Sequence, residues 1–591
     1  MNKFLLKIHS SKIQYICFAV LMVVFVSVDL WKTRYGFPIP DETFYVTIPH
    51  RILQGDAFFI DEWHLSQMTG FLQIPFVWTY EFITKSTVGI ILFMRICYVL
   101  FHTAIAIFVY IRLRKYGYIA IVTVLLYFIF TPFDIITLNY NTVGMDMLVF
   151  TGAIMATADV NRKIPFIISG VSFSAVVLCC PFMTIVYILF VLVVFMRTVF
   201  EKKQIKIISE SFISTDIFSL RIFLNFSLGV VISFVGFMTF VLSRTSIGNI
   251  IKNVPYLLSD PEHSETFWDK ITFLVFKVVN FHNNIEIPII SFLILLIFLA
   301  FDKKRGSHRV LYLLVVILIS TYTELLYKEW AVGVYYNAII SPAFFIGMIS
   351  YLLLKNKPQR LFVSIFLVGT LYAFIMPFSS NLHILIFTMG FSISNIASFI
   401  FTGLLLKEIY DETDSKKIIK AMKNISLVLF ILYICCQGIL QICVKIYHCF
   451  GEVNTSLALK NMIDKGPVKG IYTNEDYYNH YSLRYDDIMA YNIPKGKKVL
   501  FITDSTWTYL VTDKCYNSAF SAWAWIYYYG ECLDKQNDYY LINRDKIPDY
   551  VYVKKFSDIS ENKKERELFN DLKKKGYVMT ENNLSYMFKR K

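Results

Sequence analysis

Two adjacent carboxylates, Asp41 and Glu42, follow Pro40 just beyond the first long apolar run of the chain. A carboxylate near a membrane surface can act as a general base, taking the proton of an attacking hydroxyl. If Pro40 opens a short helix, neighbouring side chains point about 100° apart, so only one of the pair faces a given site. The helix dipole would favour first-turn acids even without chemistry. Further along the same segment, Asp61-Glu62 with His64 forms a second acidic cluster. It can receive an acceptor or a cation, or form a solvated loop face.

Charges inside apolar runs give a second set of candidates. Arg95 and His102 share a helix face, with Tyr98 between them. An arginine in a span is costly, so that face turns into the bundle and meets an anion; ion pairing with Asp146 or Glu324 is one reading. His102 reads as an interior histidine with satisfied hydrogen bonds, or as a binding group. Asn139-Tyr140-Asn141-Thr142 can hydrogen-bond a sugar or cap the next helix. Asp134, Asp146, Glu324 and Lys328 fall toward the outer side, so the polar centre faces outward. Asp260-Pro261-Glu262-His263 offers acids and a histidine to a divalent cation, or forms an exposed turn; its spacing fits no metal motif. A divalent cation is the one cofactor left open.

The elements that must position these groups follow from composition. With 591 residues, 56% hydrophobic and 17% charged, and a mean hydropathy of +0.52, the chain is not a soluble globule. Apolar runs near the roughly 20 residues needed to cross a bilayer recur from Ile13 to about Ile446. The first run, Ile13–Trp31, lacks a small-residue cleavage site and reads as a retained span. Spans are expected at 13–31, 88–111, 117–133, 143–158, 164–180, 181–200, 222–243, 284–301, 308–327, 334–354, 359–377, 382–406 and 424–445. Alternate connectors carry clusters such as Arg112/Arg114/Lys115, Lys303/Lys304/Arg305 and Lys416/Lys417/Lys420. This alternation gives about thirteen spans with the N-terminus inside and the C-terminus outside.

The net charge is +14, yet residues 446–591 hold 22 Lys+Arg against 19 Asp+Glu. The excess therefore lies mostly in the membrane part, where anionic lipids hold it, and no nucleic-acid partner is needed. Most cysteines lie in or beside spans as packing residues; Cys515 and Cys532 could form a disulfide in an oxidising compartment. From about Gly451 the composition turns charged and aromatic. Strand-like pieces at Lys498–Thr503 and Asp549–Val553 and a helical stretch from Glu561 to Lys575, stopped by Gly576, indicate a small α/β domain. Its aromatic run, Trp507, Tyr509, Trp523, Trp525 and Tyr527–Tyr529, suits a domain core, a membrane interface or sugar stacking.

An acidic pair opening a large first external loop, followed by Arg51–Asp56, Asp61–His64 and Gln67–Pro75 before the second span, resembles the GT-C superfamily of polytopic glycosyltransferases. Its members include protein O-mannosyltransferases and lipid A aminoarabinose transferases. The resemblance implies sugar transfer from a polyprenyl-phosphate donor to a glycan, lipid or protein acceptor, with Asp41 as base and Glu42 as its support or substitute. It also makes Arg95 a candidate for the carrier phosphate. Asp61, Glu62, His64, His102, Asn139, Asn141 and Lys328 are the further candidates for binding substrate. The chain departs from these relatives in lacking the lysine of a Lys-Pro-Pro-like element at Gln67–Pro75 and the arginine of an Arg-Tyr…Pro element at Tyr335–Pro342. The fold expected is a mainly α polytopic membrane domain, 1–446, with its first external loop at 32–87, and an extracytoplasmic α/β domain, 447–591. The expected location is a bacterial plasma membrane with the active site outward. A flippase of lipid-linked oligosaccharides or a glycan polymerase is the alternative.

Overall fold

Long apolar segments can satisfy their backbone polar groups in a bilayer only internally, so they become helices. Each expected span carries helical structure in the computed structural model, which describes residues 11–202, 212–259, 268–272, 286–326, 332–379, 386–412, 417–523, 531–555 and 561–591. Helix α1 (Ser11–Lys32) leads into α2 (Pro40–Leu53) and α3 (Thr69–Thr84), both in the segment between the first two expected spans. Then follow α4 (Ile90–Leu113), α5 (Tyr118–Ile129), α6 (Tyr140–Thr157), α7 (Ile164–Cys179), α8 (Thr184–Lys202), α9 (Leu220–Leu242) and α10 (Ile247–Leu258). The remaining bundle helices are α11 (Glu286–Phe301), α12 (Arg309–Leu326), α13 (Val332–Leu353), a composite segment Gln359–Phe378, α14 (Phe387–Asp411) and α15 (Lys417–Tyr447). Among the described residues, seven helices are long and apolar enough to cross a membrane, and the others are shorter or less apolar. The chain is an integral membrane protein. Lys328, Asp260–His263, Trp525 and Tyr527–Tyr529 lie outside the described residues.

Packing follows the side-chain sizes. At the crossing of α7 and α9, a Cβ on Gly170 would lie 2.0 Å from the Phe226 carbonyl oxygen, and one on Gly229 would lie 2.0 Å from that of Ile167. Only paired glycines let these backbones meet, the usual device where lipid gives helices no hydrophobic reason to associate. Helix α15 reverses the soluble pattern. It exposes Ile425, Val428, Ile431, Leu432 and Ile439, and buries Lys423, Ser426, Tyr433, Gln437, Gln441 and Lys445.

The C-terminal region folds as expected into an α/β unit. Its sheet has the order β4-β3-β5-β7-β6, with β3 (Lys498–Ile502), β4 (Tyr516–Asn517), β5 (Tyr550–Lys554), β6 (Tyr577–Glu581) and β7 (Ser585–Arg590). Strand β3 runs parallel to β4 and β5, while β7 is antiparallel to β5 and β6. A two-stranded antiparallel pair, β1 (Asn461–Met462) and β2 (Tyr472–Thr473), precedes it. Helices α16 (Glu475–Ala490), α17 (Glu531–Ile542) and α18 (Glu561–Lys574) complete the unit, and Gly576 at φ +86° follows α18. Cys515 is a buried free thiol whose Sγ lies 3.7 Å from the Pro494 carbonyl oxygen. The side chain of Cys532 is outside the described residues.

The segment after α1 does not stand apart from this unit. Phe44, Trp63 and Ile52 share one buried apolar cluster with Val499, Phe501 and Trp507. Backbone bonds stitch the two together, Trp63 N–H to the Phe520 carbonyl at 2.9 Å and Tyr472 N–H to the Arg34 carbonyl at 2.7 Å. What the sequence presents as a loop is a helical layer between bundle and domain.

Candidate active site

Helix α2 begins where expected. Proline fits its first turn, and Asp41 and Glu42 stand at the positive end of its dipole. The helix then divides the pair. Glu42 is buried, and both its oxygens accept from Arg95, from Nε and Nη2 at 2.6 Å each. The other N–H groups of Arg95 go to the carbonyls of Thr33 (3.0 Å), Tyr35 (3.1 Å) and Gly36 (3.0 Å). All five guanidinium donors are thus engaged within the protein. The partner of Arg95 is Glu42, and neither Asp146 nor Glu324.

Asp41, half-buried, occupies the other side of the first turn. From the C-terminal domain, Thr506 hydrogen-bonds the Thr43 hydroxyl and donates to the Pro40 carbonyl at 3.1 Å. The start of α2 is therefore gripped on one side by a membrane arginine and on the other by the turn after β3. One turn beyond Asp41, the Tyr45 hydroxyl meets Ser66 Oγ at 3.1 Å, and Ser66 Oγ lies 2.7 Å from His64 Nδ1. The His64 ring packs on Phe44 at 4.9 Å and near half-buried Trp523 at 6.2 Å. Trp507 and Tyr509 are buried in the domain core.

Beneath Glu42 lies a cavity of about 20 Å³ bordered by Lys32, Glu42, Arg95, Asp134 and Cys449. Buried Lys32 donates to the His448 carbonyl, the Ser456 hydroxyl and, at 3.2 Å, the Cys449 sulfur. His448 Nδ1 is 2.8 Å from Asp134 Oδ2, and Lys445 pairs with Asp29 at 2.9 Å. Phe133 and Asp134 both have positive φ, 55° and 56°. Non-glycine residues are held there only when their surroundings insist, and such strain collects at working sites. Sequence reading did not single out Lys32 or His448. A lysine closing the apolar run of α1 was the available signal.

The remaining predicted residues are placed elsewhere. His102 Nδ1 meets Asp146 at 2.8 Å and Nε2 the Phe128 carbonyl at 3.1 Å, the satisfied interior arrangement. Asn139 caps α6 in a reciprocal capping box with Thr142, while Asn141 is buried beside it. Asp61 and Glu62 do not form a solvated face. Arg51 donates to Asp56 and Glu62 at 2.8 Å each, Lys546 reaches Asp56 at 2.6 Å, and Tyr539 donates to Asp61 at 3.1 Å. Burial, and then neighbouring Asp56, push the Asp61 carboxyl up; burial raises Glu62 despite Arg51. Asp56 is also pushed up by burial, but Arg51 and Lys546 outweigh it and hold it below the ordinary range. This cluster joins the first segment to the C-terminal domain. Among the described residues no group of three or more His, Cys, Asp or Glu is placed to hold a metal ion.

No family model matches the chain, and no curated protein does. Solved structures of oligosaccharyltransferases from Archaeoglobus fulgidus are similar to it. One is the archaeal oligosaccharyltransferase AglB in complex with an inhibitory peptide and a dolichol-phosphate, with 12% identity, 97% of this chain and 74% of that chain covered, and a TM-score of 0.43. Another is tethered with an acceptor peptide containing the NVT sequon, with 11% identity, 97% and 74% coverage and a TM-score of 0.45. A third is a complex with Zn and sulfate, with 13% identity, 96% and 73% coverage and a TM-score of 0.44. Likeness at this level assigns no residue a role and this chain no substrate.

Proposed function

We propose that the chain is a GT-C-type membrane glycosyltransferase that moves a sugar from a polyprenyl-phosphate donor to an extracytoplasmic acceptor. The observation that carries this reading is the divided pair. Glu42 is locked to Arg95, so Asp41 is presented from a rigid first turn where the bundle, the first segment and the C-terminal domain meet. In the proposed reaction Asp41 takes the proton of the acceptor hydroxyl as its oxygen attacks the anomeric carbon. The bond from that carbon to the carrier phosphate oxygen breaks, and the phosphate leaves with the electron pair. Positive groups stabilise the charge that develops there. Lys32, at the end of α1, supplies one, and Arg95 contributes through its field while holding Glu42. His64 and Trp523 border the acceptor side.

The test is mass spectrometry of lipid-linked sugars and surface glycans in a deletion strain that carries either wild-type chain or Asp41→Asn at matched expression. Loss of one sugar from the glycan, with build-up of its polyprenyl-phosphate donor, is the expected result. A normal glycan in the variant beside a defect in the deletion removes Asp41 from the mechanism and brings forward the flippase or polymerase reading.

A further inference from the structure

Helix α15 turns Tyr433, Gln437, Gln441 and Lys445 inward at every fourth position, and two amides near this stripe have a fixed orientation. Pro342 inside α13 cannot donate a hydrogen bond and disturbs the carbonyls of the preceding turn. Two carbonyls of that turn accept from side chains, Ile339 from Gln437 Nε2 and Ile340 from Asn395 Nδ2, both at 2.8 Å. A carbonyl needs a donor, so each amide nitrogen must lie there and each amide oxygen must point away. Those two oxygens and that of Gln441 are buried with no hydrogen-bond partner among the described residues.

Asn395, Gln437 and Gln441 border one cavity of about 10 Å³, together with Thr123, Tyr127 and Ser392. Of the three hydroxyls on its wall, that of Ser392 also offers an oxygen to the cavity, and the other two donate elsewhere. The Thr123 hydroxyl donates to the Ile396 carbonyl at 3.0 Å, and the Tyr127 hydroxyl donates to Asp146. This volume admits about one water, which has two protons for three amide oxygens. A cation satisfies all three at once. The wall contains no carboxylate. Hard divalent ions are held by carboxylates, whereas rings of neutral oxygens serve monovalent ones. Asp146, behind Tyr127, supplies a compensating charge outside the first layer of oxygens.

We propose that this cavity is a binding site for a monovalent cation of Na⁺ size, held by the side-chain oxygens of Asn395, Gln437 and Gln441. The ion bridges α14 and α15, whose amide nitrogens hold the α13 carbonyls, one helical turn from Lys445, which pairs with Asp29. The proposal does not depend on the transferase reading.

The full-length protein in lipid nanodiscs is unfolded thermally in NaCl and in choline chloride at equal ionic strength. The midpoint is expected to rise saturably with Na⁺, by about 2–4 °C between low and high concentration. Gln441→Leu and Asn395→Leu each abolish the sodium–choline difference, whatever their own midpoints. Equal midpoints for wild type in the two salts mean that the cavity holds only water, which overturns the proposal. A sodium effect that survives in both variants overturns it too, because the ion then binds elsewhere. The salt comparison needs only the wild-type chain, so a variant that fails to fold does not remove the test.

Discussion

The segment after α1 carries the same dipeptide twice, Asp41-Glu42 and Asp61-Glu62, and the two pairs are placed differently. In the first, the helix turn sends Glu42 into a buried bidentate bond with Arg95 and leaves Asp41 half-buried at a junction. In the second, both acids are buried, with Arg51 on Glu62 and Lys546 beside Asp61. In the first pair the two acids part, with Glu42 buried on Arg95 and Asp41 half-buried. The second spends both on attaching a domain. An acidic dipeptide therefore announces nothing by itself; the distant groups that the fold brings to it decide.

The comparison breaks most visibly at Arg51. Arg51→Leu leaves Asp56 and Glu62 buried without their guanidinium, and the expected loss is at least about 3–5 kcal/mol. Limited proteolysis should then release or degrade the C-terminal domain, and an unchanged digestion pattern would show that the cluster does not hold it. At the other pair, Asp41→Asn is expected to lower the melting temperature less than Glu42→Gln does, while sugar transfer falls about 10²–10⁴-fold. Glu42→Gln should do the reverse in part. It leaves Arg95 without its counter-charge, so the protein melts earlier and transfer falls because Asp41 is misplaced. Equal effects of the two variants on melting would dissolve the distinction between them.

Smaller effects sharpen the picture. Thr506→Val removes the grip on Pro40 and Thr43 from the domain side, at about 1 kcal/mol, readable as a modest drop in melting temperature. Asp504, in the same turn, is pushed up by burial but held below its ordinary 3.8 by Arg484 and Lys554. A carboxylate depressed in the folded state contributes stability that is fully present above pH 3.8 and is lost as the pH falls below it. Asp504→Asn should therefore flatten the acid limb of the stability profile by about 1 kcal/mol or less, and leave neutral-pH differences between salts small. A steeper acid limb in the variant would reverse the assigned sign.

Much of the architecture was legible because it rests on short-range rules. Pro40 and its acids marked the start of α2, Asn139 with Thr142 marked a cap, and Gly576 marked the stop of α18. Arg95 announced that it needed an anion but could not say which. Asp146 and Glu324 lay at plausible depths along the chain, yet the segment after α1 folds back so that Glu42 reaches the guanidinium first. The ion cluster of Arg51, Asp56, Glu62 and Lys546 was hidden for a similar reason. Lys546 is almost five hundred residues away, and no local pattern links it to Asp56.

The sequence by itself determined that the chain enters a membrane, where helices form, and that a carboxylate pair opens the segment after the first apolar run. Hydrophobic length, proline geometry and dipole preferences act over a few residues and need no partner. Tertiary structure alone decided that Glu42 meets Arg95 while Asp61 and Glu62 share one ion cluster, that Lys32 at the end of α1 reaches the His448 carbonyl beyond α15, and that Asn395, Gln437 and Gln441 on two helices line one cavity. Those outcomes depend on which distant charge or carbonyl comes within about 3 Å, and at that range electrostatics and hydrogen bonding are steep functions of position.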